Sequence, residues 1–209
     1  MARPRSAGFD GQREQILAAA AQLFATRGYT AATMNDVAAA CGVSKATLYH
    51  YVRDKHGLLA LITRSHVARL EALVQAVSAE GLPPQAHLQA LIQRFMQAYA
   101  SAAHEHRVLT EDVRFLSAAD HTAVLAAQRR VVAAFAAGVA ACRPELQAAG
   151  LHTPLAMLLF GMINWTFTWL KADGALRHEA LASVVTALFF GGLPAVPAVK
   201  PTGSGSGPG

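Results

Sequence analysis

"TMNDVAAACGVSKATLYHY", residues 33–51, decides the fold. Read as two short helices crossing at a tight turn, it supplies each part that such a crossing needs. Ala38 is small where the axes approach, and Gly42, four positions later, tolerates the positive φ of the turn. Val37, Cys41, Val43, Leu48 and Tyr51 fall at offsets that face the crossing, and Thr33 and Ser44 are placed to cap the two helices. What is left outward on the second helix is Lys45, Ala46, Thr47, Tyr49 and His50: donors, a cation and an aromatic, with no acid. A helix N-terminus attracts phosphate through its free amides and dipole, and Lys45 adds charge to the first turn. A helix that enters the major groove reads bases with such N-terminal residues while phosphates are held around it. The stretch predicts a double-stranded DNA partner.

Outward from this pair, the chain reads as helices throughout. Ile16, Leu17, Ala20, Leu23 and Phe24 share one helical stripe that ends at Arg27-Gly28, a left-handed C-cap. Asp54 can cap a long helix to about Glu80, with Leu59, Ile62, Leu70, Val74 and Val77 inward. At ~1.5 Å per residue it is roughly 39 Å long, enough to join two domains and serve as a lever. Further stripes begin at Leu88, Leu109 and Val124, the last of these stopping before Pro144. Thr153-Pro154 predicts an N-cap followed by proline at the first helical position, and Asp173-Gly174 the end of that helix. Leu181, Val184, Val185 and Leu188 mark the final helix. The expectation is an all-α chain of about nine helices. Residues 1–56 form a three-helix DNA-binding domain with a flexible N-terminal arm, 57–193 a helical ligand-binding and dimerisation domain, and 194–209 a disordered Gly/Ser/Pro tail.

Bulk properties agree with a compact binder of polyanions. Of 209 residues 53% are hydrophobic and 15% charged, and the net charge is +5. Residues 1–56 hold seven Lys/Arg against four Asp/Glu, a net +3 of that total. Two cysteines, Cys41 and Cys142, give neither a disulfide framework nor metal-ligand spacing, which points to a reducing cytosol. The first residues lack the apolar core of a secretory signal. The most apolar run, 154–170, falls short of the ~20 residues of a bilayer crossing, so no membrane is expected.

"TMNDVAAACGVSKATLYHYVRDKHGLL", with "ILAAAAQLFATRGYTAAT" before it, resembles the DNA-binding segment of the TetR family of bacterial transcriptional regulators. The resemblance covers residues 13–62 without a gap. It implies a cytoplasmic homodimer on a palindromic operator, a repressor more often than an activator, with a divergent ligand domain behind the reader. Carried over by position, Thr33, Ser44, Tyr49 and His50 match phosphate-contacting positions, and Lys45, Ala46 and Thr47 positions near base edges. Lys55 matches the residue that caps the next helix against the backbone. His56-Gly57 departs from the acidic residues usual there, which predicts a looser helix start.

"GMINWTFTWLKADGALRHEALA", residues 161–182, and less specifically "HRVLTEDVRFL", residues 106–116, resemble members that govern fatty-acid and aromatic-acid catabolism. These imply an acyl-CoA effector, which needs an apolar trench and cations. Phe95, Tyr99, Phe115, Trp165 and Trp169 are candidates for the trench, and Arg114, Arg129 and Arg130 for the charge. Trp165 and Trp169 equally fit packing between dimer helices. A homodimer is expected through the last two helices, from Leu158, Phe160, Ile163, Val184, Val185, Leu188 and Phe189. No cofactor, no metal and no catalytic residue is expected. His104 and His106 are two apart and diverge on a helix, and Ser44 lacks a nucleophile elbow. The alternatives are a small helical enzyme, a lipid or acyl carrier indifferent to DNA, or a metal-responsive regulator.

Overall fold

The protein is described by a computed structural model covering residues 7–170 and 174–198. Among these, every regular element is helical: α1 Ala7–Arg27, α2 Met34–Ala40, α3 Lys45–Tyr51, α4 Lys55–Ala79, α5 Pro84–Ser101, α6 Ala103–Glu111, α7 Ala118–Cys142, α8 Pro144–Ala148, α9 His152–Asn164, α10 Thr166–Trp169 and α11 His178–Gly192. Single 3-10 turns follow α6 (Val113–Phe115) and α11 (Leu193–Ala195). The expected helices are present, with α8 as an extra single turn.

The stripe expected to begin a helix at Leu109 instead falls on the end of α6, which stops at Glu111 before the 3-10 turn Val113–Phe115. Two further boundaries differ from the sequence reading. Helix α9 begins two residues early, at His152, with Leu151 as an N-cap that makes no side-chain bond. Thr153 is therefore inside the helix, and Pro154 occupies the first turn, where a missing N–H costs nothing. The helix also breaks at Trp165, after which the single turn α10 ends at Trp169 with Leu170 extended. Thr166 Oγ1 donates to the Ile163 carbonyl at 2.9 Å and Thr168 Oγ1 to the Trp165 carbonyl at 2.6 Å. Such threonine bonds compete with the helix ladder. Asp173, the expected terminator, lies outside the described residues.

Packing divides the chain into two compact units. One runs to Arg69 and takes back Ala102–Ala127; the other contains Leu70–Ser101 and the chain from Gln128. The expected boundary after residue 56 falls inside the first unit, because the start of α4 is bound into the core beneath α2 and α3. That core joins Ile16, Ala20 and Phe24 of α1 to Val37, Leu48, Leu58 and Ile62, and accepts Val108 from α6. A smaller cluster in the same unit packs Val67, Leu109, Val124 and Ala127.

The second unit is built on aromatic edges. Phe95, fully buried, meets Phe135 at 4.8 Å and Tyr99 at 5.9 Å between centroids, both edge-on, as ring quadrupoles favour. Leu88, Leu91, Ile92, Leu159, Ile163 and Val185 close around them. Two stretches, Ala118–Cys142 and His178–Ala195, have the length and hydropathy of a bilayer crossing. On the first, Val124, Val131, Phe135 and Val139 are committed to these protein cores.

Candidate nucleic-acid interface

The helix pair of residues 33–51 is fixed by local bonds. Thr33 caps α2: its Oγ1 accepts the Asp36 amide at 3.2 Å and donates to Asp36 Oδ2 at 2.6 Å, while the Thr33 amide donates to the same carboxylate at 2.9 Å. These bonds hold the Asp36 carboxyl below its ordinary range. The capping box satisfies two orphan amides at once. Gly42 turns the chain at φ +64, in the left-handed region that glycine enters at no steric cost. Ser44 Oγ then accepts the Thr47 amide at 3.0 Å and shares a 2.8 Å bond with the Thr47 hydroxyl.

Beneath, Val37 and Leu48 are fully buried and Ala38 is 5% exposed at the crossing. Cys41 is half-buried against this core, less enclosed than its inward offset predicts, and burial raises its thiol pKa. Tyr51 leaves the crossing to stack on Phe9 of α1 at 4.6 Å, and its hydroxyl donates to Gln12 at 2.7 Å. The C-terminus of α3 is thereby clamped to α1.

The caps change what the helix has left to offer. The hydroxyls of Thr33, Ser44 and Thr47 are engaged within the pair, and Thr47 is half-buried. Lys45, Ala46, Tyr49 and His50 remain on the exposed face, and the first turn of α3 carries no acid. They supply a cation, a methyl, a ring with a hydroxyl and an imidazole, the group types that read guanine, contact thymine methyl and bind phosphate.

Lys55 is placed otherwise than a phosphate contact requires. Its Nζ donates to the carbonyls of Tyr29 (2.9 Å), Thr30 (3.3 Å) and Ala32 (2.9 Å), and stands 4.5 Å over the Tyr29 ring. All three hydrogens are used inside the protein, binding the α1–α2 loop to α4. Asp54 Oδ1 accepts the Gly57 amide at 2.7 Å, so α4 starts on a formed cap rather than loosely. Hydrogen bonds to a charged group contribute about 1.5–3 kcal/mol, so Lys55→Met is expected to cost about 2 kcal/mol in urea unfolding. Unchanged stability would mean that the ammonium is free to face a phosphate.

The residues expected to line a ligand trench are divided between the two units. Phe95 and Tyr99 are core, with the Tyr99 hydroxyl donating to Asn164 Oδ1 at 3.0 Å. Desolvation raises the Tyr99 pKa far above its ordinary value. Arg114 and Phe115 belong to the first unit, where Phe115 stacks on Tyr29 at 5.1 Å and the Arg114 guanidinium covers the Phe115 ring. Arg130 pairs with Glu71 beside a cleft of about 150 Å³ lined by Val74, Gln75 and Val131. Arg129 is exposed.

Trp165 and Trp169 are 52% and 54% exposed, alongside Met157, Leu158, Val184 and Leu188. The set expected at a dimer seam is thus split: Phe160, Ile163, Val185 and Phe189 serve their own unit's core, while Leu158, Val184 and Leu188 face out. Sequence reading missed Met157, and also the Tyr29–His56–Phe115 contact, whose only local sign was the unusual His56-Gly57. His106 is buried and turned toward His66, with 3.4 Å between Nδ1 and Nε2. Among the described residues, no three His, Cys, Asp or Glu side chains are grouped for a metal ion.

Two family models match the chain: "Bacterial regulatory proteins, tetR family" over residues 16–62, and "Tetracyclin repressor-like, C-terminal domain" over residues 81–193. The transcriptional repressor KstR2 of Rhodococcus jostii strain RHA1 is 31% identical over 113 residues, 54% of this chain and 55% of that one. The chain spans about half the length of the named regulators that it matches in sequence. A TetR-family regulator from Bordetella parapertussis 12822 superposes with a TM-score of 0.82 at 33% identity, covering 88% of this chain and 97% of that one. AibR, solved in complex with isovaleryl coenzyme A and operator DNA, shares the fold at a TM-score of 0.74 and 24% identity, covering 85% and 97%.

Proposed function

Because the chain belongs to the TetR family of bacterial regulatory proteins, we propose that it is a transcriptional repressor of the bacterial cytoplasm, which binds a palindromic operator as a homodimer and releases it on binding a small apolar effector, an acyl-CoA thioester. The observation that carries the DNA half is the acid-free, doubly capped α3 with Lys45, Ala46, Tyr49 and His50 outward. Lys45 and Ala46 sit on its first turn, where base edges are read, and Tyr49 and His50 hold phosphates beside them. The named neighbours support the effector half: AibR was solved with isovaleryl coenzyme A, and KstR2 is a repressor. Release follows when the effector binds better to the conformation that does not fit the operator.

The test is retention of a duplex carrying the promoter region beside the chain's own gene, with and without a panel of acyl-CoA thioesters. Release by a thioester and not by free coenzyme A supports both halves. Binding that no thioester disturbs removes the effector and keeps the reader. No retention at low salt overturns the DNA reading for that promoter. Because phosphate contacts release counterions, log affinity is expected to fall linearly with log salt.

The homodimer rests on the outward face of α9, α10 and α11. Leu158 at 66%, Leu188 at 65% and the two tryptophans are too exposed and apolar for a finished surface. Gly161 and Gly191 leave open space among them for close approach of a second copy. Leu188→Glu is expected to give a monomer in sedimentation and to weaken operator retention, since one reader then binds without its mate. A dimer that survives this change would place the seam elsewhere.

A further inference from the structure

Tyr29 lies in the loop that feeds α2 and is only 4% exposed. Three elements of the first unit meet on this one side chain. Phe24 of α1 meets the ring edge-on at 5.2 Å, and Phe115 of the 3-10 turn stacks on it at 5.1 Å with 27° between planes. The Tyr29 hydroxyl lies 3.1 Å from His56 Nδ1 at the start of α4, and the same nitrogen is 3.4 Å from the Phe115 carbonyl. Lys55 covers the ring and draws in the Tyr29, Thr30 and Ala32 carbonyls, the last of them adjoining the α2 cap Thr33.

One nitrogen can serve both oxygens only as a donor. A protonated Nδ1 donates to the Phe115 carbonyl and the Tyr29 oxygen together; a bare Nδ1 accepts the Tyr29 hydroxyl and leaves the carbonyl unserved. In the first arrangement His56 couples Phe115 to Tyr29; in the second the stacked rings alone do so. From Tyr29 the covalent path to the Thr33 cap is four residues, and from there α2, Gly42 and α3 follow as one capped unit. Lys55 ties Tyr29, Thr30 and Ala32 on that path to α4, which limits how far the loop yields to a displaced ring by flexing alone.

We infer that the 3-10 turn Val113–Phe115 sets the position of the DNA-reading pair through Phe115, Tyr29 and His56, with Phe115 a positioning residue that never touches DNA. The inference rests on the DNA-reading function proposed above. It reassigns Phe115 from the wall of an effector trench to the fixing of the reader, with Arg114 covering its open side. The segment 103–115 thereby becomes the place where a change in α6 would be felt at α2 and α3.

The test compares full-length Phe115→Ala, Phe115→Tyr and Leu109→Ala. Leu109 is 3% exposed in the same unit but packs with Val67, Val124 and Ala127, away from Tyr29, and so controls for lost core packing. Two readouts are taken at matched distance below each protein's melting temperature: retention of the promoter duplex, and amide exchange over residues 29–36 and 45–51. Phe115→Ala is expected to lower affinity roughly 10-fold and to speed exchange in both segments, as coupling residues outside a site do. Leu109→Ala should do neither, and Phe115→Tyr should restore both. Equal effects of Phe115→Ala and Leu109→Ala, or none from Phe115→Ala, would overturn the inference. If the parent protein retains no duplex, the DNA reading fails, and the exchange data still decide whether Phe115 fixes the reader.

Discussion

The Lys45→Ala/Tyr49→Ala double variant is expected to lose at least about 100-fold in operator affinity, since a single good base contact contributes about 1–3 kcal/mol. A homodimer makes each contact twice, so the loss is compounded across the two half-sites. Stability should hardly move. Both side chains are exposed, Tyr49 at 45%, and exposed substitutions away from caps stay within about ±0.5 kcal/mol. Loss of DNA retention at an unchanged urea midpoint is the expected pair of results. Retention within about threefold of the parent would mean that α3 is not the reading helix.

The second large effect is on stability against pH. His66 is 1% exposed, faces His106 from α4, and its Nδ1 is buried without a hydrogen-bond partner. Desolvation, then the neighbouring His106 and Arg69, push its pKa down to about 3. Arg69 on α4, the cation that acts on His66, is opposed by Glu105 of α6 at 3.9 Å. In the unfolded chain a histidine takes its proton near pH 6.5. Between the two values the unfolded chain binds more protons than the native one, so stability falls as pH falls. The contribution is fully present above about pH 6.5 and is lost at about 1.4 kcal/mol per pH unit below it. Between pH 6.5 and 5 that amounts to about 2 kcal/mol from this group. His66→Leu removes the titrating group, and its unfolding free energy should fall less over that range by this amount. His178, whose pKa burial also lowers, keeps its share in both proteins. Parallel pH profiles for parent and variant would sink the idea.

Features with short sequence range were legible. Thr33, Gly42, Ser44 and Asp54 act on groups within a few residues, so residue type and spacing identify them without knowledge of the fold. Lys45, Ala46, Tyr49 and His50 followed as outward residues of α3, because the positions used up by the crossing were known, whereas Thr47 is drawn into the Ser44 cap. Contacts across long separations were not legible. Phe115 and His56 are 59 residues apart, and no local periodicity says which residues Phe115 packs against. For the same reason Arg114 and Phe115 were grouped with Phe95 and Tyr99, which pack in the other unit. Lys55 was recognised as a cap, but only the three carbonyls around it show that no donor is left for DNA. Along α9 and α11, periodicity marked apolar residues on two adjoining faces, and burial alone separated Val185 and Phe189 from Val184 and Leu188.

The chain has two tryptophans, and both lie on the exposed apolar face of the second unit. Its ultraviolet emission therefore comes from one place, while α2 and α3 contain tyrosine but no indole. Half-exposed indoles emit toward the red, and any surface that covers them moves the band to the blue and slows quenching by iodide. A dilution series of the unlabelled protein followed at tryptophan wavelengths thus reports what that face is doing, with the reader silent in the same spectrum.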